Sequence, residues 1–420
     1  MATVVQKFGG TSVGDPERIR RVARIIADTV DQGNQVAVVI SAMGHTTDEL
    51  VSLAEELVTT PSGREFDALL VTGEMVSASL MAMTLNNMGY KAVSLNGHQA
   101  GFHTEDLHNR SRILEIDTGR VQYHLNNGEI VIVTGFQGMN SKGDFTTLGR
   151  GGSDTSAVAL AGALGAERCD IYTDVKGVYS TDPRIVPEAV KLDEITYIEM
   201  LELARVGAQV LHPRAVETAR HAKVQIRVRS TFYTDDMGTL VVDRHSIESN
   251  QRPVSGIASD ENQARVAVTG VPDQPGIAGK IFGALASRNI SVDMIIQSLN
   301  RDNINDIAFT VNSADLQDAL DTLEKVKIDI QGKAVVHDTD VAKVSIVGIG
   351  MIDRPGIAAD MFNALSQLGI NIKMIATSEI KISCLIDKAH AREAVQAIHK
   401  VFFPDEVAAE TTVVDQKLGY

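Results

Sequence analysis

Residues 273–285 and 353–365 are two copies of one pattern. Asp273-Gln-Pro-Gly-Ile-Ala-Gly-Lys-Ile-Phe-Gly-Ala-Leu returns as Asp353-Arg-Pro-Gly-Ile-Ala-Ala-Asp-Met-Phe-Asn-Ala-Leu. The shared register runs on without a gap through Ile290 and Ile370, Met294 and Met374, Ile295 and Ile375, and Ser298 and Ser378. Each copy reads strand, Pro-Gly turn, helix, strand, strand, helix, strand, a ferredoxin-like βαββαβ unit of about eighty residues. The end of the chain is thereby confined to a pair of small α+β units. Proline and glycine at the strand-to-helix junction leave amides that can receive a carboxylate, or simply start a helix. Strands at Val254–Ser259 and Thr411–Val414 can both complete the second unit, which would leave unit one inserted in unit two. Apolar edges and faces in such units favour self-association, so at least a homodimer is expected.

The first 245 residues follow a different rhythm. Short apolar strands at 36–40, 92–95, 129–134, 170–173 and 224–228 alternate with amphipathic stretches at 16–32, 47–58, 66–88 and 155–164. Strands apolar throughout, separated by helices, imply a mostly parallel sheet covered on both faces, with ligands at the carboxyl ends of the strands. At 420 residues the chain exceeds what one core usually organises, which agrees with separate domains.

Two glycine-rich turns carry the chemistry. The first strand ends in Lys7-Phe8-Gly9-Gly10-Thr11-Ser12-Val13, which offers backbone amides, a lysine charge and a helix N-terminus to a phosphate. Gly149-Arg150-Gly151-Gly152-Ser153-Asp154 precedes the small-residue helix from Ala157 to Leu164 and forms a second anion cradle, where Arg150 can grip a carboxylate or phosphate with two parallel bonds. Asp154 can orient the cations or contact a metal, or serve only as a helix cap. Two cradles in one α/β domain suggest two anions held side by side, as phosphoryl transfer to an acidic acceptor requires.

Composition excludes several classes. The net charge of −15 and the absence of Trp argue against nucleic-acid binding, and the one basic cluster, Arg18, Arg20, Arg21 and Arg24, has the spacing of a solvated helix face. Cys169 and Cys384 are the only cysteines and suggest neither a disulfide framework nor a zinc site. No leader and no membrane-length apolar run are read, so a cytoplasmic location with no membrane association is expected. His98, His103 and His108 share no helix face and read as solvated loop.

In order along the chain, the Lys7 turn, Ser41-Ala-Met-Gly-His-Thr-Thr-Asp, Thr72-Gly-Glu, the Arg150 turn and Tyr172-Thr-Asp-Val-Lys-Gly-Val-Tyr-Ser-Thr-Asp-Pro-Arg resemble the successive motifs of the aspartate kinases (aspartokinases) of the amino-acid kinase family. The C-terminal repeat resembles the tandem ACT domains of that family, and the length resembles its monofunctional members. The resemblance implies an amino-acid kinase domain over 1–245, a linker or shared strand over 246–262, and ACT domains over 263–340 and 341–420. It also implies transfer of the ATP γ-phosphoryl to the β-carboxylate of L-aspartate, giving 4-phospho-L-aspartate, the first step of lysine, threonine and methionine biosynthesis. An ionised carboxylate is already a nucleophile, so no general base is needed.

By the same resemblance Lys7, Arg150 and Asp154 are catalytic. ATP meets Lys7, Phe8, Gly9, Gly10, Thr173, Asp174, Tyr179, Asp182, Arg184 and Gln209, with Mg²⁺ bridging nucleotide oxygens and few protein ligands of its own. Aspartate meets Ser41, Thr47, Glu74, Arg150 and Ser153, with Glu74 on the ammonium. Gln209 departs from the family, in which many members carry lysine there, so a second cationic contact to the nucleotide is in doubt. Amino-acid effectors, lysine or threonine or both, are expected at Asp273, Gly276, Ala278, Val292, Asp293 and Gln297, and at Asp353, Asn371, Ile372 and Thr377 in the second unit. Two other functions stay open: an amino-acid kinase for glutamate, acetylglutamate or UMP, and a regulatory subunit with an inactive kinase domain.

Overall fold

The computed structural model describes all residues of the chain except 209, 244–251, 299–302, 353 and 405–420. It divides into two compact units: Met1–Val178, Lys191–Ala204 and Gln209–Glu248 form the first, and Tyr179–Val190, Arg205–Ala208 and Ser249–Tyr420 the second. Segments 179–190 and 205–208, expected in the kinase domain, therefore belong with the C-terminal unit.

The strands of the first unit are β1 (Thr3–Phe8), β2 (Gln35–Ile40), β3 (Ala92–Leu95), β4 (Phe102–Thr104), β5 (Ile113–Ile116), β6 (Ile130–Thr134), β7 (Gln137–Met139), β8 (Phe145–Thr147), β9 (Arg168–Thr173), β10 (Glu194–Thr196), β11 (Ile226–Ser230) and β12 (Thr239–Val242). An eight-stranded sheet runs β10-β12-β11-β9-β1-β2-β6-β3, and only the β11–β12 pair is antiparallel. A four-stranded sheet, β5-β4-β7-β8, stands apart from it and was not read from the sequence. Its strands are three or four residues long, too short for alternation to register.

Helices cover the large sheet as its fully apolar strands require. Ile19, Val22 and Ile26 of helix Pro16–Asp31 and Ala78, Met81 and Leu85 of helix Thr72–Asn87 share one core with Phe8, Val36, Val38 and Ile40. Helix Gly152–Leu164 packs on β1, β2 and β9 through Ala157 and Ala161, small enough for close approach. Helix Pro16–Asp31 is started by the Asp15 carboxylate, which accepts from Arg18 N at 2.9 Å, and by proline in its first turn. Arg20 and Arg24 of the basic cluster are exposed, while Arg18 and Arg21 lie over the Phe232 ring.

The single helix expected over 66–88 is two, Arg64–Leu70 and Thr72–Asn87, meeting at Val71, whose carbonyl accepts from Gln137 Nε2 at 3.1 Å. By length and composition alone residues 64–87 are able to cross a membrane, contrary to the expectation that no run is. Half of that stretch is buried inside the unit, with Asp67 and Glu74 among the buried residues, as in a core helix of a globular domain.

In the second unit β13 (Gly256–Pro272), β14 (Val292–Gln297), β15 (Ile304–Asn312), β16 (Ala334–Val347), β17 (Met374–Thr377) and β18 (Lys381–Asp387) form one sheet in the order β14-β15-β13-β16-β18-β17. The two long strands each serve both repeats. Residues 263–272 of β13 pair with β15 and with the first half of β16, whereas Gly256–Asp260 pair with Val347–Lys343 beside β18. The segment before repeat one thus supplies the fourth strand of repeat two, and repeat one is inserted within it. The other expected strand, at Thr411–Val414, lies outside the described residues.

Equivalent positions of the repeat carry opposite charges. Asp293 on β14 pairs with Lys343 Nζ at 2.7 Å, while its counterpart Lys373 pairs with Asp338 at 2.8 Å and with Asp387. The Lys343 side chain is only 3% exposed and that of Asp293 49%. Asp293→Ala would strand the lysine charge in the sheet. We expect a loss of about 2 kcal/mol in denaturant unfolding of the full chain, less than for a fully enclosed pair because Asp293 is half exposed. Lys343→Met in the same chain should restore most of it.

Candidate active site

Strands β9, β1, β2 and β6 are parallel neighbours in register: Phe8 lies between Tyr172 and Ile40, and Ile40 beside Thr134. Their carboxyl ends therefore deliver Lys7, Ser41, Thr134 and Thr173 to one edge of the sheet, where four loops meet.

The loop after β1 and the loop after β2 touch through their backbones. Gly44 N donates to Gly10 O at 3.0 Å, and a Cβ on Gly10 would lie 2.9 Å from Ala42 O, so no larger residue fits there. Lys7 folds back over this loop, its Nζ 3.3 Å from where a Cβ on Gly9 would stand. The ammonium is 2.7 Å from Asp154 Oδ1, both side chains being 13% exposed. The angles at Oδ1 do not make a directed hydrogen bond, so the contact is an ion pair.

Asp154 is brought there by the second glycine turn. Gly151 is the cap of helix Gly152–Leu164, in the left-handed region with φ 67°, and a Cβ on it would overlap the His212 ring. The cap is thus glycine, and Asp154, in the first turn, faces Lys7 instead. His212 is itself held, its Nδ1 accepting from Arg214 N at 3.3 Å, and burial keeps its imidazole below the ordinary range. Ser153 rests on Gly135, where a Cβ would come within 2.7 Å of Ser153 Oγ. Arg150 is exposed and receives no ion pair or hydrogen bond at its guanidinium among the described residues.

Glu74 lies under the loop after β2. Its side chain is in the first turn of helix Thr72–Asn87 but, against the plain reading of a solvated helix start, the residue is only 3% exposed. Oε1 accepts from Ala42 N at 3.2 Å and Oε2 has no partner among the described residues. Burial pushes the carboxyl up to about 8. A buried acid with one unfilled oxygen is a ready receptor for an ammonium. Ser41, at the same loop, accepts through its carbonyl from Ser77 Oγ at 2.7 Å, and Thr47 is half exposed in the first turn of helix Thr46–Leu57.

The nucleotide residues separate. Gly9, Gly10, Thr173 and Asp174 sit at the strand ends, with Thr173 Oγ1 donating to Asp174 Oδ1 at 2.9 Å. The Phe8 side chain is core, stacked on Tyr172 at 4.6 Å between ring centres, and offers only its backbone. Tyr179, Asp182 and Arg184 belong to the second unit, where Tyr179 packs on the cluster containing Val186 and Ile257, and Arg184 forms a two-pronged pair with Asp182. Gln209 lies outside the described residues. No three His, Cys, Asp or Glu side chains among the described residues converge on a metal position, and Asp154 is the carboxylate beside Lys7.

Of the effector candidates, Asp273, Gly276 and Ala278 surround the start of helix Ile277–Ala286, and Gln297, at the C-terminal end of β14, pairs with Ile307, which lies opposite Val268 on β13. Val292 and Asp293 are at the other end of β14. Asn371, Ile372 and Thr377 flank β17, and Asp353 lies outside the described residues. A feature not anticipated is His108, read as solvated: its Nδ1 is 2.8 Å from the carboxylate of fully buried Asp67. Spacing along the chain gives no sign of a partner 41 residues away.

The chain is similar to known proteins over nearly its whole length. Residues 2–230 match the amino acid kinase family, and residues 265–328 and 344–402 each match an ACT domain. The aspartokinase of Geobacillus stearothermophilus is 51% identical over 97% of this chain and 99% of its own. E. coli aspartokinase III in complex with aspartate and ADP, in its R-state, is 29% identical, covers 96% of this chain and all of its own, and superposes with a TM-score of 0.81. The same enzyme with lysine and aspartate, in its T-state, gives a TM-score of 0.72 at 29% identity, over 96% of this chain and 99% of its own. The chain belongs to the aspartokinases, phosphotransferases with a carboxyl acceptor within the amino acid kinase family.

Proposed function

We propose that the protein transfers the γ-phosphoryl group of ATP to the β-carboxylate of L-aspartate, yielding 4-phospho-L-aspartate at the head of lysine, threonine and methionine biosynthesis. The observation that carries this reading is that the Lys7–Asp154 ion pair lies at the end of β1 while a buried Glu74, with one oxygen unfilled among the described residues, holds the touching loop after the neighbouring β2. Lys7 over the Gly9–Gly10 amides suits the transferred phosphoryl, and Asp154 holds it there. Glu74 would take the ammonium of aspartate and Arg150 a carboxylate, while Ser41, Thr47 and Ser153 add polar contacts. Alignment and charge neutralisation then suffice, with no proton to remove. Mg²⁺ would accompany the nucleotide and supply charge neutralisation of the phosphates, and Asp154, the carboxylate beside Lys7, is the side chain that would hold it. The ADP and aspartate bound by the E. coli relative support both ligand assignments. Thr173 and Asp174 would border the nucleotide. Two free, buried cysteines suit the reducing cytoplasm.

Regulation by lysine, threonine or both is proposed for the ACT units, supported by the lysine complex of the E. coli enzyme. Because Asp273, Gly276 and Gln297 stand at one end of β14 and Val292 and Asp293 at the other, one amino acid cannot span both groups within a chain. β14 is an edge of its sheet, and antiparallel pairing with the same strand of a second copy would bring the Asp293 end of one beside the Gln297 end of the other. We infer at least a homodimer through this element.

ADP release should require aspartate, with glutamate or no acceptor giving background only. Lys7→Ala should lower kcat by about a thousandfold; release independent of the acceptor, or near-normal turnover of that variant, would defeat the assignment.

Glu74→Gln should behave oppositely in function and stability. The folded carboxyl, at about 8, lies above its ordinary value of 4.5, so the native state keeps its proton to higher pH than the unfolded chain does. The wild type is therefore penalised progressively as pH rises from about 4.5 to 8, on the order of a few kcal/mol at the top. The variant should lose aspartate affinity yet melt higher than wild type near pH 9 without ligand, the gap closing toward pH 5. Equal melting temperatures at both pH values would refute the buried-acid account.

Saturating lysine and threonine, separately and together, should reduce activity and shift sedimentation of the chain toward one oligomer. Indifference to every combination would remove the regulatory reading and leave the kinase reading intact.

A further inference from the structure

Asp67 is a fully buried carboxylate that the chemistry above does not use. Burying such a group is costly unless its lone pairs are engaged, and here donors come from two separate segments, the loop at 108–109 and the end of β8. His108 Nδ1 is 2.8 Å from Oδ2, Asn109 N approaches both oxygens at 3.1 and 3.2 Å, Asn109 Nδ2 donates at 3.0 Å and Thr147 Oγ1 at 2.6 Å. Asn109 in turn accepts from Gly63 N at 2.8 Å, at the start of the helix that carries Asp67. The loop is closed in an uncommon conformation, with Asn109 at φ 67°.

The fixed segments lead to Arg150. Thr147 ends β8, three residues before it, and is held twice, through its hydroxyl by Asp67 and through its carbonyl by Ser111 N at 2.9 Å. Leu148 O accepts from Arg214 Nη1 at 2.9 Å. Gly149 passes directly over the clamped loop, where a Cβ would stand 3.3 Å from Asn109 O. Arg150 itself is exposed, with nothing among the described residues holding its guanidinium. Its placement therefore comes from the backbone that Asp67 anchors, and the same carboxylate sits in the helical stretch that leads through Val71 to Glu74.

We propose that Asp67 is a positioning residue for the acceptor: by tying the 105–111 loop and the end of β8 to the helix before Glu74, it sets Arg150 opposite Glu74 so that both ends of the amino acid are gripped. This rests on the reading that Arg150 and Glu74 hold aspartate. An amide keeps one acceptor oxygen where the carboxylate offers two, so it cannot engage the Asn109 N–H from both sides.

The experiment is a double-mutant cycle on steady-state kinetics of the full-length enzyme. Asp67→Asn and Thr147→Val should each raise KM for aspartate about tenfold while KM for ATP moves less than about twofold. Thr147→Ser, which keeps the hydroxyl, should stay near wild type. In an Arg150→Ala background, Asp67→Asn should change kcat/KM for aspartate by less than about twofold, because the residue it acts through is gone. Equal losses for ATP and aspartate, or an undiminished Asp67 effect in the Arg150→Ala background, would show a merely structural role and overturn the proposal. Arg150→Ala leaving kcat/KM for aspartate at the wild-type value would instead sink the underlying assignment of Arg150. Should Asp67→Asn fail to fold, Thr147→Val against Thr147→Ser in both backgrounds gives the same decision.

Discussion

The Lys7–Asp154 ion pair is the contact on which the site depends, and the fold is arranged around making it. Lys7 ends a strand in a setting already rich in positive field: loop amides on one side and the N-terminus of helix Gly152–Leu164 on the other. A lysine left alone there would swing out to water. Asp154, in the first turn of that helix, is favoured by the helix field and holds the ammonium over the glycine loop at once. The pair forms because the helix can come close enough to β1, which its small residues and the glycine cap under His212 permit. Small residues in this helix thus serve the ion pair as well as the packing.

Two buried carboxylates on one helical stretch show opposite solutions to burial. Asp67 is supplied with donors from a loop, a strand and a histidine, and stabilises what surrounds it. Glu74, seven residues later, has one donor and an empty oxygen, and is held protonated by burial up to about pH 8. The first arrangement is complete within the chain; the second keeps an oxygen that, in the proposed function, the ammonium of the acceptor fills. An ammonium entering beside Glu74 would draw the proton off and gain a full ion pair in a dry site, so the stability given up in the empty protein reappears as affinity.

The parts legible from sequence are those whose signal is local. Strand ends followed by glycines, apolar strands in alternation with helices, and the repeated Asp-x-Pro-Gly turns all declare themselves within a dozen residues, and the elements around Val36–Ile40 and Ala92–Leu95 follow from them. What escaped depends on partners distant in sequence. The break at Val71 comes from Gln137, the role of His108 from Asp67, and the identity of the Gly151 cap from the His212 ring. Segment 179–190 looks like a nucleotide loop by its residues, yet its apolar members Val186 and Ala189 belong to the core of the C-terminal unit, a membership no local pattern announces.

The tandem units show how far a duplication can stay symmetric. Met294 and Met374 occupy the same repeat position and are identical, and they meet in one apolar cluster with Val341 and Leu385. A residue that packs near its own counterpart can be the same on both sides when it is apolar, because dispersion is indifferent to sign. The adjacent position cannot: Asp293 faces Lys343, and an aspartate at 373 would face Asp338 and Asp387. Opposite charges at 293 and 373 therefore follow from the two repeats binding each other within one sheet, where like charges would repel across the shared strands.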